Sequence, residues 1–366
     1  MIYQWAGINL GESVAMLLQK SMQKLAQSTG ASQLRLWGKI LGTEKDYYVA
    51  EGVAAGADEE EPNPEMEAKG TGVNKYTYWV CNCPSDNKWT ALPNLLPKDI
   101  NIARQIKFHF SGDLDRRIIT NPFFKEKERH LLRAQIARIS ASTTLLPKGV
   151  KKVVVEGEGD EAVETREVEP VMVDDADGNS FPFIPRFADM KNAASWVHHE
   201  PNILKCNKTV HAEVVAPEGE DWDDARLAEE KKKQLDADSY EPRLKNISTD
   251  AKVKGAPAWT VRHYGDSSEY LAANESDIRQ NYGVVVVKSN WWPGAVTFYT
   301  QEKLKGFNIY VGDGHKFEDK TYYPIAPPQM QADPEERPTY EEPNPTEAFL
   351  ARKAQLEAQA NAGQEE

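Results

Sequence analysis

Leu34-Arg-Leu-Trp-Gly-Lys-Ile-Leu-Gly42 runs through a Thr-Glu-Lys turn into Asp46-Tyr-Tyr-Val-Ala-Glu51, and Asn74-Lys-Tyr-Thr-Tyr-Trp-Val-Cys-Asn82 follows. These stretches are rich in aromatic and branched residues and are punctuated by glycine, the composition of paired strands. They predict strands over 33–41, 46–51 and 75–81. Leu34, Leu36 and Ile40 are the apolar positions of the first strand, and Gly38 interrupts it, which signals a bulge or a close backbone approach. In the third strand Tyr76, Tyr78 and Val80 share a face while Trp79 occupies the opposite one, so both faces need cover. The result is a meander with a long insertion between its second and third strands.

Upstream, Leu10, Val14, Leu17, Leu18, Met22 and Leu25 recur at helical spacing, and Gly30 is a stop signal. Residues 52–70 carry Asp58-Glu-Glu-Glu61 and two prolines, and this stretch reads as a mobile acidic loop. Downstream, Pro97 and Asp99 open a helix with Ile102, Ile106 and Phe110. A second helix begins near Glu126, with Leu132, Ile136 and Ile139 on one stripe. Asn121-Pro-Phe-Phe124 between them reads as an ordered turn with buried aromatics. Residues 148–180 are charged and glycine-dotted, with a short strand at Val153–Val155; residues 216–240 read as low-complexity sequence. An antiparallel sheet is predicted from Trp259–Arg262, Val284–Lys288, Val296–Thr300 and Phe307–Val311.

The fold class is therefore α+β: mixed, mainly antiparallel strands with several amphipathic helices, long acidic loops and an extended acidic C-terminal tail. Three regions are expected. Residues 1–145 hold the first helix, the meander and a basic helical pair. Residues 146–328 form a β-rich region with acidic insertions at about 148–180 and 216–240. Residues 329–366 are an extended or disordered acidic tail.

The chain has 366 residues, enough for a sizeable core, although only 40% are hydrophobic. A packed body with solvated loops follows. No apolar run is long enough to cross a bilayer and no secretory signal opens the chain, so no membrane partner and an intracellular setting are expected. Three cysteines, Cys81, Cys83 and Cys206, suit reduced thiols. The net charge of -13 disfavours nucleic acid. Yet from Lys98 to Arg138 ten Lys/Arg face five Asp/Glu, a basic island that is either a solvated face or a dock for an acidic partner.

Chemistry is harder to find. His198-His199, Cys206 and His211 lie close together in sequence beside Cys81-x-Cys83, but no paired zinc-ligand spacing is present, and no metal is expected. Gly306, Gly312 and Gly314 match neither a Walker pattern nor a dinucleotide fingerprint; no cofactor is expected. No nucleophile elbow appears, and the carboxylates cluster in solvated runs. These observations point away from an enzyme and towards contact surfaces. Trp291-Trp292-Pro-Gly294 places two adjacent tryptophans that cannot face the same way on a strand, so a core role and an interface role are both open for them, as for Trp196. The candidate interface residues are Trp37, Trp79, Trp196, Trp291, Trp292, Arg104, Arg133 and Arg138.

Taken in order, several blocks resemble one family. Trp37-Gly-Lys-Ile-Leu-Gly42 with Asp46–Glu51, Gly72–Asn82, Leu132-Arg-Ala-Gln-Ile-Ala-Arg-Ile-Ser-Ala141, Trp196-Val-His-His199, Trp292-Pro-Gly-Ala295, and Tyr310-Val-Gly312 with Gly314-His-Lys316 are similar to the radial spoke head protein family, types 4 and 6. The resemblance covers about residues 7–328. It implies a structural subunit of the radial spoke head in the axoneme of motile cilia and flagella, within the cytoplasmic cytoskeleton, relaying mechanical signals between the central pair and the dynein arms. It also implies partners: other head subunits, including a paralogous or identical 4/6-type chain and MORN-repeat proteins, with transient contact to central-pair projections. Many relatives carry a substantial segment ahead of the first helix, and some carry denser acidic tracts. A cytosolic non-catalytic adaptor is the alternative.

Overall fold

The computed structural model describes residues 7–53, 65–156, 163–174, 178–216, 222–265, 283–300, 306–317 and 345–362. The first helix, α1 (Glu12–Thr29), ends on Gly30 in the left-handed region, as its sequence position suggests. It leads into β1 (Ser32–Ile40), β2 (Tyr47–Val53), β3 (Thr77–Cys81) and the short β4 (Thr90–Ala91). Two helices follow, α2 (Pro97–Gln105) and α3 (Glu128–Thr143). The next stretch contains β5 (Leu145–Pro147), β6 (Lys151–Glu156), β7 (Val163–Pro170), β8 (Met172–Asp174), β9 (Ser180–Pro182), α4 (Phe187–Met190), β10 (Trp196–His198) and α5 (Asp224–Ala237). The last strands are β11 (Trp259–Tyr264), β12 (Val284–Ser289), β13 (Ala295–Thr300) and β14 (Gly306–Gly312). The fold is α+β with a mostly antiparallel sheet, as expected.

One eight-stranded sheet runs β11-β12-β13-β14-β1-β2-β3-β4. All its pairs are antiparallel except β1 with β14, where Gly38 meets Tyr310 and Ile40 meets Gly312. The meander expected within residues 1–145 and the strands expected within residues 146–328 share this sheet. Gly38 is the reason. A Cβ there would lie 2.0 Å from the Tyr310 carbonyl oxygen, so only glycine lets β14 come alongside. A register shift against β2 between Leu36 and Gly38 marks the bulge that the glycine signalled. It also moves the apolar positions between faces. Trp37 and Ile40, three residues apart, join one cluster, whereas Leu34 and Leu36 pack on the other side.

Both faces are covered. On one, α2 and α3 pack Ile100, Leu132 and Ile136 over Trp37, Tyr47, Val49, Tyr78 and Val80. Beyond α3, Leu145 and Trp196 of the β5–β10 pair cover Val285, Val287 and Tyr299 on the same sheet. On the opposite face Leu25 of α1 packs with Ala50 and Trp79, and Ile8 with Val286, Phe298 and Ile309.

Several local expectations change. Ile106 and Phe110 lie past the end of α2, yet both are buried. In the Asn121–Phe124 turn Phe124 is buried but Phe123 is exposed. Residues 148–180 hold two hairpins, β6–β7 and β8–β9, the first pairing Val153 with Val168. The 216–240 stretch contains α5, capped by the Asp223 side chain accepting from Arg226 N–H; an Ala/Leu/Glu/Lys run has strong helix propensity once capped. Asp58–Glu61 lie outside the described residues. Glu67, expected in a mobile acidic loop, instead accepts from Val73 N–H at 2.8 Å and from Thr209 N–H and Oγ1–H at 2.7 and 2.6 Å. A second unit, Lys320–Glu366, contains α6 (Pro345–Ala362), whose Phe349, Leu350 and Leu356 are exposed. No described helix is long and apolar enough to cross a membrane.

Candidate docking cleft

The turn from β12 to β13 borders a concave surface. Ser289 Oγ accepts from Trp292 N–H at 3.1 Å, and the Asn290 side chain donates to Pro257 O at 2.8 Å. Gly294 closes the turn with φ +99, and a Cβ there would lie 2.2 Å from Val311 O. This geometry sends the two tryptophans in different directions. Trp292 is buried in the core cluster, with an indole N–H that has no hydrogen-bond partner. Trp291 stays half-buried, donates from Nε1 to Ala251 O at 2.8 Å, and accepts at its carbonyl from Phe317 N–H at 2.7 Å.

Around this turn lies a cleft of about 530 Å³ whose wall carries five cationic side chains, Arg104, Arg138, Arg243, Lys245 and Lys316. The Arg138 guanidinium sits 5.3 Å from the Trp292 ring centre, and the Lys316 ammonium 4.9 Å from that of Trp291. Arg104 donates to the Ile203 and Leu204 carbonyls at 3.2 and 3.0 Å. Arg243 has an Nε buried without a hydrogen-bond partner. Three carboxylates share the wall, Glu200, Glu241 and Asp250. Burial alone would raise Asp250, but bonds from His198 Nε2 at 2.9 Å and Trp259 Nε1 at 2.7 Å hold it below the usual carboxylate range. Burial likewise opposes ionisation of Glu200, but His199, Lys75 and Arg243 bring it down to about 2. Both acids are therefore ionised and internally matched. The wall thus carries more cationic than anionic side chains, with Trp259, Trp291 and Trp292 beside them.

The structure sorts the eight candidate residues. Arg104, Arg138, Trp291 and Trp292 come together in this cleft. The others are engaged elsewhere within the chain. Trp37 donates to Ser140 Oγ at 2.9 Å and packs on Tyr310; Trp79 packs beneath α1; Trp196 is fully buried and donates to Met190 O at 2.8 Å. Arg133 is buried over the Tyr78 ring, donating to Val73 O at 2.7 Å. Sequence reasoning missed Arg243, Lys245 and Trp259, since nothing local marks residues that converge from separate loops. Lys316 stood only within a quoted block.

A family model of radial spokehead-like proteins matches residues 1–69 and 56–348. The chain belongs to that family. It is 32% identical over 368 residues to radial spoke head protein 4 homolog A of Homo sapiens, covering 90% of this chain and 48% of the relative. To radial spoke head protein 6 homolog A of Xenopus tropicalis it is 31% identical, covering 89% and 66%. To flagellar radial spoke protein 4 of Chlamydomonas reinhardtii it is 26% identical, covering 88% and 67%. The chain spans about half the length of the mammalian relatives it matches. Radial spokehead-like proteins are structural components of the axoneme of cilia and flagella, and this places the chain in the axonemal cytoskeleton.

Proposed function

We propose that this radial spokehead-like chain is a head subunit that helps relay mechanical signals between the central pair and the dynein arms. The observation that carries the reading is the continuous sheet. Strands from both ends of the family match hydrogen-bond in one plane, covered on both faces, so a load applied at one end is borne by backbone bonds rather than by a hinge. A relay element needs that stiffness and large contacts. The cleft is the proposed contact, receiving an acidic segment from a neighbouring head subunit. Partners would be a paralogous or identical 4/6-type chain and MORN-repeat head proteins, with transient contact to central-pair projections.

Co-purification from axonemes tests this directly. Charge reversal at Lys245 and Lys316 together is expected to reduce recovery of neighbouring head subunits at least about tenfold, with circular dichroism checking that the fold survives the loss of the Lys245–Glu241 bond. Equal recovery with both charges reversed would remove the cleft from the interface.

A further inference from the structure

Beside the cleft, three described residues assemble a mixed ligand set. One ligand atom each of Cys206, His211 and Asp238 lies within 4.8 Å of the others. The pairing rule that set metal aside looks for ligands close in sequence, whereas the third member comes from the end of α5. The set is oriented by its own neighbours. His211 Nε2 donates to the Asp238 carbonyl at 2.7 Å, which holds the ring against the end of α5. Cys206 N–H donates to Asp238 Oδ2 at 3.1 Å, and His211 N–H to Tyr240 Oη at 2.9 Å. Cys206 is exposed, so an ion can enter from solvent.

A second observation gives such an ion a task. No residue of α5 is buried, so no apolar face fastens the helix. Its C-terminal end instead meets the 205–212 loop: Lys205 Nζ donates to Ala237 O at 3.2 Å, and Gln234 Nε2 to Ala212 O at 3.3 Å. Asp238, the helix C-cap, sits where a metal would lock these contacts.

We propose that Cys206, His211 and Asp238 form a zinc site that pins the end of α5 to the 205–212 loop. Thiolate, imidazole and carboxylate are a zinc set, with a fourth position left for water. The thiol proton passes to solvent as the zinc–sulfur bond forms, and the two anionic ligands balance the ion's charge. Ligand atoms of a tetrahedral zinc are about 3.4–3.8 Å apart. The trio therefore closes by up to about 1.4 Å on binding, a movement that exposed loop and helix-end atoms can absorb.

The test is titration of the chelator-stripped full chain with cobalt(II), then with zinc in competition with a chromophoric chelator. One equivalent should bind, with a sulfur-to-cobalt charge-transfer band and tetrahedral cobalt bands that zinc displaces. Cys206→Ser should abolish the sulfur band and weaken zinc at least about tenfold, as should His211→Ala for affinity. Cys83→Ser, at an exposed cysteine outside the trio, should change nothing. Circular dichroism of each metal-free variant checks its fold. Zinc should also slow amide exchange in residues 224–237. A missing sulfur band, or zinc affinity unaltered by Cys206→Ser, overturns the site; binding without slower exchange in α5 overturns the pinning.

Discussion

Glu128 shows what individual residues contribute to this scaffold. Its carboxylate is fully buried at the start of α3 and accepts from Tyr47 Oη at 2.9 Å, Ser111 N–H and Oγ–H at 2.8 Å each, and Gly112 N–H at 3.2 Å. Removing it strands several buried donors, each worth about 1–3 kcal/mol when unsatisfied, so Glu128→Ala should lower stability in urea by at least ~3 kcal/mol. Glu128→Gln, which keeps one acceptor oxygen, should recover part of that. Glu200 makes a pH prediction. Its folded-state pKa of about 2 lies below the ordinary glutamate value of 4.5, so its stabilisation is present above that value and is lost as pH falls from about 4.5 towards 2. The full linkage is up to ~3 kcal/mol. Glu200→Gln should therefore differ from the parent at pH 7 and converge with it near pH 2; an equal gap at both would show that charge plays no part. None of these partners was legible in the sequence. Tyr47, Ser111 and Glu128 are far apart along the chain, and only the folded loop brings them together.

Among the elements, β1 decides the architecture. Gly38→Ala should disrupt the β1–β14 pair, because its Cβ would overlap the Tyr310 carbonyl. A loss of at least ~2–3 kcal/mol is expected, with amide exchange accelerated in residues 36–40 and 308–312. Exchange confined to β1–β2 would place the weak seam elsewhere. Strand positions and α1, α2 and α3 were legible because apolar periodicity and glycine stops are local signals. Gly38 announced a bulge or a close approach, and it produces both. Its partner was not legible, since a parallel pair joining residues 38 and 310 leaves no local mark. The same limit hid α5: charged helix formers with no apolar stripe look like low-complexity sequence until Asp223 caps them. Of the cleft, Trp291, Trp292, Arg104 and Arg138 were visible as residue types, but Arg133, Trp37, Trp79 and Trp196 carry the same signals and serve inside the chain.

At the scale of the whole molecule, the net charge of -13 contrasts with a cleft wall of five cations and three carboxylates. That local inversion of sign suits recognition of an acidic neighbour and should make binding weaken as salt rises. Subunit association measured from low to physiological ionic strength should fall accordingly, and Trp291→Ala should weaken it at constant salt by about 1–2 kcal/mol, the loss of a half-buried aromatic anchor. The most direct measurement is cryo-electron microscopy of native axonemes resolved at the spoke head. This chain should lie in the head, its sheet continuous from β11 to β4, with a neighbour's acidic segment against Trp291 and Lys316. Density for the chain outside the spoke head, or a cleft open to solvent in the assembled head, would contradict it.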